Sequence, residues 1–461
     1  MVSLLITLRL LCGDFILDVI ASVMDPRLIG RFRVGLDLEA PDTVSGQALA
    51  VAAMSVAIFL AVVAFLLVFV SALHIPLPSH ICDREKVQFF EFLIRITNEY
   101  LGDLVEYVIG PKYRVFISRF VVGFPYHFKK KSPKWLNVEE KEIDGVKCRL
   151  YLPQGSAKKS QCCIVFIHGG GWCLMEPHYY DGPLYNLISK TGATVVSIDY
   201  ELSPQVTFPS PVLECERVVK AIYEKEHSVL GVDPTKIVII GDSAGGNLTA
   251  VTCQRLLRAG LGHYVAGQVL VYPVTNVTDF QSPSYQYYHR AYKGAGLLNP
   301  KIFARMVLLY LGIDASKKNV RLVMKNKHIP SDVRASKEYR AVTDHHLLPQ
   351  SFRTKDLYET PKTPTPDPVL SAAFAPHVTN PDLNPLFGKD LTGLAPAMIV
   401  TAGIDILRDE GILYSKLLES YDVPVKWYHY ESAFHGIMNM PKSKQRGVII
   451  QDIAAYLKPV L

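Results

Sequence analysis

The chain reads as an α/β fold: a central, mostly parallel β-sheet with helices on both faces, joined to a helical cap and an N-terminal transmembrane helix. Three features lead there. From residue 147 onwards, six short apolar runs (162–167, 194–198, 236–240, 268–272, 397–401 and 425–430) alternate with amphipathic stretches near 181–190, 211–226, 244–259, 409–420 and 442–457. Runs that are apolar throughout, rather than alternating, suit parallel strands buried on both faces, and their alternation with helices is the pattern of βαβ units. Second, 461 residues suit one large domain plus an appendage, and no internal repeat is evident. Third, hydrophobic residues make up 49% and charged residues only 20%, more apolar than a soluble chain requires, and one N-terminal segment accounts for most of the excess.

In chain order, residues 1–46 form an N-terminal segment. Within it Thr7, Asp14, Asp18 and Ser22 recur opposite Leu4, Leu8, Leu11, Phe15 and Val19, which reads as an amphipathic surface helix. A cleaved signal peptide is the competing reading, but no clean apolar stretch ends in a small-residue cleavage site. Between Asp42 and Asp83 there is no Asp, Glu, Lys or Arg, and 48–73 is apolar but for Ser55 and Ser71. At about 1.5 Å per residue, a helix over 47–73 crosses a hydrocarbon core of about 30 Å. Arg9, Arg27, Arg31 and Arg33 precede it and Arg84 and Lys86 follow, so the positive-inside rule leans towards a cytoplasmic N-terminus.

Residues 79–146 are expected to form an N-terminal cap. Phe89, Phe90, Phe92, Leu93, Ile96, Tyr100, Leu104, Phe116, Phe120 and Phe124 recur at helical spacing, as in a cap or packing layer. Residues 147–461 carry the α/β domain. Its stretch at about 280–390 is irregular and rich in Pro and Lys, and reads as an insertion completing the cap, because so long a structureless loop would be anomalous inside a sheet. The net charge of +6 is spread along the chain apart from Lys129, Lys130, Lys131 and Lys134, a solvated loop, so nothing marks a nucleic-acid surface.

The chemistry starts at Gly241-Asp242-Ser243-Ala244-Gly245-Gly246, between the run 236–240 and the helix 244–259. Strand, sharp turn, helix is the context of a nucleophile elbow: flanking glycines permit the turn, and the Ala244 N–H at the helix start can receive an oxyanion. His168-Gly169-Gly170-Gly171-Trp172 follows the run 162–167, and its glycines can aim backbone N–H groups at a ligand as the other half of an oxyanion hole. The spacing fits neither a phosphate loop nor a dinucleotide fingerprint. His168 is expected to brace this loop. A serine needs a base, and the base an orienting acid, in the order Ser, Asp/Glu, His. His435 follows the last run and Asp405 follows the run before it; Asp409 and Glu410 compete with Asp405, but fall inside the next helix as N-terminal charges. His429 lies along a strand. No metal or cofactor is required.

These motifs, in this order, resemble the hormone-sensitive-lipase-like branch of α/β-hydrolases, and within it the arylacetamide deacetylase and neutral cholesterol ester hydrolase group. The resemblance runs from the apolar helix and Pro76-Leu77-Pro78 to Phe434-His435-Gly436. It implies an α/β-hydrolase fold with an N-terminal cap, and a single-pass type II anchor in the endoplasmic reticulum membrane with a lumenal catalytic domain. It also implies Ser243 as nucleophile, Asp405 as orienting acid, His435 as base, an oxyanion hole from the glycine loop and Ala244, and apolar ester or amide substrates. Two departures stand out. Where the family usually has Tyr-Arg-Leu-Ala-Pro, this chain has Tyr200-Glu201-Leu202-Ser203-Pro204, so the arginine's ion pair is absent or rearranged. Some relatives pair the cysteine after the glycine loop with one three residues before the acid; here Cys173 remains but the second position is Ala402. Cys82, Cys148, Cys162, Cys163, Cys215 and Cys253 show no metal spacing, and no disulfide is assigned. Asn276-Val277-Thr278 is a glycosylation sequon in a predicted loop, whereas Asn247-Leu248-Thr249 falls in the helix behind Ser243. The rival reading is a noncatalytic ligand-binding or lipid-trafficking protein on a hydrolase scaffold.

Overall fold

A computed structural model describes residues 75–126, 131–292, 297–354 and 358–461, and Val63 besides. The expected segment 1–46 and, Val63 apart, the expected span 47–73 lie outside these residues. Among the described residues no helix is long and apolar enough to cross a membrane. The chain divides into two compact units, and the described part of the smaller one is Val63 and residues 75–77 and 83–93. It holds most of the helix Arg84–Arg95, with Lys86 Nζ 2.7 Å from Asp83 and Gln88 donating to the Ile75 carbonyl at 3.0 Å.

The larger unit is built on an eight-stranded sheet in the order β1-β2-β4-β3-β5-β6-β7-β8. The strands are β1 Leu136–Ile143, β2 Val146–Pro153, β3 Cys163–Ile167, β4 Thr194–Ile198, β5 Ile237–Asp242, β6 Gly267–Val271, β7 Ala397–Ile404 and β8 Val425–Phe434. Helices used below are α1 Arg114–Gly123, α2 Asp181–Thr191, α3 Ser210–Ala221, α4 Ala244–Arg258, α5 Pro300–Tyr310, α6 Arg408–Glu419 and α7 Lys444–Leu457. From β4 to β8 every neighbour is parallel; β1–β2 and β2–β4 are antiparallel. Strands β3 to β7 are buried along their whole length, which is why they read as unbroken apolar runs.

Two strands escaped that reading. Residues 136–143, expected inside the cap, form the edge strand β1, so the expected cap 79–146 ends too late. An edge strand needs only one apolar face, and Glu139, Glu140, Lys141 and Glu142 hide the pattern. The available signal was Asp144-Gly145, both at positive φ (47° and 77°), the two-residue turn that joins β1 to β2.

The insertion at 280–390 also differs from its irregular reading. It contains α5 and the short helices Pro283–Tyr292, Lys317–Val323, Ser331–Ala335, Lys337–Thr343 and Pro368–Phe374. Several are opened by side-chain caps: Asn299 accepts from the Ile302 N–H, Ser316 from Asn319, Ser336 from Tyr339 and Asp367 from Leu370. In the N-terminal helices of this unit, Gly102–Ile109 and α1, the buried Arg114 is held by Asp103 at 2.7 Å, by Glu106 at 2.6 Å and by the Asn98 carbonyl. Of the apolar residues expected to pack in this region, Tyr100, Leu104, Phe116, Phe120 and Phe124 are instead exposed.

Candidate active site

Strand β5 ends at Asp242 and the chain turns at Ser243 directly into α4. Ser243 sits at φ 53°, ψ −121°, a conformation non-glycine residues rarely adopt. Its N–H donates to the Val271 carbonyl at 2.9 Å, and its carbonyl accepts from Asn247 and Val274, both at 3.1 Å, so the turn is held from three sides. A Cβ at Gly245 would strike the Ile167 carbonyl, so glycine is what lets α4 begin against the end of β3.

The loop after β8 brings His435 over this turn. His435 Nε2 lies 2.9 Å from Ser243 Oγ, and Nδ1 lies 2.8 Å from Asp405 Oδ2. Asp405, just past β7, is buried and accepts the Leu407 N–H on Oδ1 at 2.9 Å, which fixes its rotamer. A hydroxyl, an imidazole and a buried carboxylate hydrogen-bonded in series let the imidazole draw the hydroxyl proton and the carboxylate stabilise the imidazolium. The competing acids are engaged elsewhere. Asp409 accepts from Ser284 N–H at 2.5 Å and from Arg408 Nε at 2.8 Å, and Glu410 accepts from the Thr275 N–H at 2.9 Å. Both stand in the first turn of α6, but as buried ties rather than exposed helix-end charges, and burial pushes the Glu410 carboxyl well above its usual range.

The glycine loop after β3 divides its labour. Gly169 N–H donates to Asp242 Oδ1 at 2.8 Å and contacts Tyr180 Oη at 3.1 Å, so of the four groups expected in the oxyanion hole this one is already engaged. Among the described residues, the N–H groups of Gly170, Gly171 and Ala244 meet no protein acceptor. Gly170 takes φ 111°, a conformation that favours glycine, and a Cβ there would strike the Leu174 carbonyl; Gly171 takes the left-handed φ of 60°. His168 is buried, with Nδ1 2.8 Å from the Gly169 carbonyl and its ring stacked 4.3 Å from Tyr200. Burial pulls it down to about 4, opposed by the Gly169 carbonyl, so it is a neutral brace.

Three residues that sequence reasoning missed support the site. Asp242 is buried and accepts from Gly169 N–H, Tyr180 Oη at 3.1 Å and Tyr272 Oη at 3.1 Å. Burial raises it to about 6, with those hydrogen bonds pulling the other way. Its signal was an acid inside an otherwise apolar strand end. Arg119 on α1 donates to the carbonyls of Cys173 and Ser203, each at 2.7 Å, tying the residue just past the glycine loop to the segment after β4. Met306 on α5 lies against Gly171, where an added Cβ would fall on its Sδ, and Tyr310 of the same helix stacks on Trp172 at 4.4 Å. Nothing in the local sequence marked Arg119 or Met306.

Other expectations fare variously. Asn276 is not in an exposed loop: it is 4% exposed, its Oδ1 accepts from Thr278 N–H and Oγ1, and the fold leaves no room for a glycan. Asn247 is buried in α4, donating to the Val274 and Leu383 carbonyls. Glu201 makes no ion pair among the described residues; its N–H donates to Glu214 at 2.8 Å, and burial followed by the neighbouring Glu201 charge raises that carboxyl. His429 bridges Thr401 and Glu431. The seven described cysteines form no disulfide. Among the described residues no group of His, Cys, Asp or Glu is placed to hold a metal ion.

A mostly parallel sheet with a strained serine at the strand-to-helix turn, faced by a histidine from the last strand's loop, defines the α/β-hydrolase class. The alpha/beta hydrolase fold family matches residues 164–338 and 354–439. Mouse neutral cholesterol ester hydrolase 1 is 33% identical, over 79% of this chain and 89% of that protein. Bovine arylacetamide deacetylase is 30% identical, over 79% and 90% respectively. Among solved structures, a hyperthermophilic esterase from the archaeon Pyrobaculum calidifontis is 26% identical with a TM-score of 0.54, covering 80% of this chain and 97% of its own. The chain belongs to the hormone-sensitive-lipase-like group of the alpha/beta hydrolase fold family and is a hydrolase of the carboxylesterase kind.

Proposed function

We propose that this chain is a membrane-anchored serine hydrolase cleaving carboxylic esters or amides of apolar substrates, with Ser243 as nucleophile, His435 as base and Asp405 as orienting acid. The observation that carries this reading is the unbroken series Ser243 Oγ, His435, Asp405, at 2.9 and 2.8 Å, beside three unengaged N–H groups. His435 takes the Ser243 proton as Oγ attacks the carbonyl, and the N–H groups of Gly170, Gly171 and Ala244 stabilise the oxyanion. His435 then returns the proton to the leaving group, and water, activated in the same way, releases the acid from the acyl-enzyme.

The apolar side chain of Met306 beside the glycine loop supports an apolar acyl group. The names of the relatives make lipid esters, sterol esters and arylacetamides the substrates to screen. The uncharged run 48–73 supports a single-pass anchor, and the arginines before it support a type II arrangement, in the endoplasmic reticulum by the family resemblance. The test is fluorophosphonate labelling of the membrane-bound protein. Labelling of wild type that is lost in Ser243→Ala and His435→Ala is the expected result; folded wild type that resists the probe would overturn the reading in favour of a noncatalytic binding protein.

A further inference from the structure

Sixteen large apolar side chains are exposed among the described residues, and ten of them lie between Tyr100 and Phe124. Tyr100, Leu104, Tyr107 and Val108 follow helical spacing, as do Phe116, Phe120 and Phe124 one segment later. The exposure is large where it counts: 59% for Leu104, 89% for Tyr107 and 65% for Phe120. The acids of the same helices are matched by cations of their own fold. Asp103 and Glu106 hold Arg114, Asp103 also meets Lys317, Glu106 meets Arg305, and Glu99 meets Lys301. What remains is an aromatic-rich face whose acids are neutralised, followed in sequence by Lys129, Lys130, Lys131 and Lys134.

We propose that this face, formed by Tyr100, Leu104, Tyr107, Val108, Phe116 and Phe120, lies in the surface of a lipid bilayer, a contact additional to the anchor and resting on the membrane reading above. Three observations single out lipid. The mixture of Tyr and Phe with aliphatic residues suits the boundary between headgroups and acyl chains. Lys131 and Lys134, both exposed, follow in sequence and suit anionic headgroups. The uncharged apolar run ends at Leu73, only 27 residues before Tyr100, so the same chain reaches both lipid contacts.

The consequence bears on substrate class. Helix α1 turns Phe116 and Phe120 outward while its Arg119 holds the Cys173 and Ser203 carbonyls. A bilayer against the outer side of α1 therefore lies about one helix diameter, about 10 Å, from the segment after the glycine loop. Such a site draws esters directly from the lipid phase.

The test uses the full chain in phosphatidylcholine–phosphatidylserine vesicles, with an environment-sensitive fluorophore on Tyr107→Cys or Phe120→Cys, and on Val229→Cys as an exposed control. The protein without an introduced cysteine gives the blank. Emission at 107 and 120 should shift to the blue and be quenched by nitroxide-labelled lipid, while 229 stays unquenched. Equal behaviour at all three positions overturns the proposal. So does a blue shift at 107 and 120 that ignores nitroxide lipid and vanishes on dilution, which would mean a second copy of the chain covers the face. As a second readout, Tyr107→Ser/Phe120→Ser should lower the ratio of hydrolysis of vesicle-borne ester to hydrolysis of a short soluble ester about tenfold or more; an unchanged ratio overturns the proposal. Quenching needs no turnover, so failure of the enzyme reading and failure of this one are told apart.

Discussion

Gly171 shows how closely single atoms are specified around the proposed oxyanion hole. Its φ of 60° already disfavours a side chain, and Met306 Sδ occupies the place a Cβ would take. Gly171→Ala should therefore misplace one N–H donor, lowering kcat about a hundredfold, and destabilise the protein by about 1 kcal/mol or more. Met306→Ala in that background removes the steric part alone. Chemical denaturation of the four proteins should give a coupling of about 1 kcal/mol; strictly additive losses would mean Met306 is not what excludes a side chain. The acids near His435 invite a second comparison. Asp405→Asn leaves the imidazole in the wrong tautomer and should cost up to about 10⁴ in kcat. Asp409→Asn unpairs the buried Arg408 and should cost about 3 kcal/mol of stability with a far smaller change in kcat. If the two effects on kcat are exchanged, the assignment of the orienting acid is wrong.

At the scale of elements, α1 is fastened to the catalytic half of the molecule through Arg119, whose guanidinium reaches two carbonyls and Gln205. Arg119→Met keeps the aliphatic stem and removes those bonds. Amides of the segment from Cys173 to Ser203 should then exchange faster with deuterium, and kcat/KM should fall by about tenfold as the glycine loop loses its outer support. Unchanged exchange would show that the loop is held from the sheet side alone. Which elements could be read from sequence follows from the same physics. Strands β3 to β7 announce themselves because both faces are buried; β1 does not, because only its ends, Leu136 and Ile143, are buried and Glu139, Glu140 and Glu142 between them are exposed. The helices of 280–390 are too short for periodicity to stand out, yet Asn299, Ser316, Ser336 and Asp367 each mark a start. The meeting of Ser243, His435 and Asp405 was legible because each follows its own strand in a fixed order. Asp242, Arg119 and Met306 were not, since their partners lie 30 to 135 residues away and only the tertiary fold joins them.

For the molecule as a whole, two buried ionisable groups behind the glycine loop make opposite demands on pH. Burial raises Asp242 to about 6, against about 4 in the unfolded chain. Between those values the folded state binds more protons, so this carboxyl's contribution to stability falls as pH rises from about 4 to about 6. Burial lowers His168 to about 4, against 6.5 unfolded. In that window the unfolded state binds more protons, so its contribution is intact above 6.5 and is lost as pH falls towards 4. Each effect is worth at most about 3 kcal/mol, and over nearly the same range they oppose each other. Wild-type stability should therefore change little from these two groups between pH 4 and 6.5. Asp242→Asn removes one side of the balance, and its unfolding free energy relative to wild type should climb with pH across this window. His168→Gln removes the other, and its difference from wild type should slope downward. Urea midpoints measured at half-unit steps of pH read both slopes directly; two parallel curves would mean that neither group is shifted by its burial.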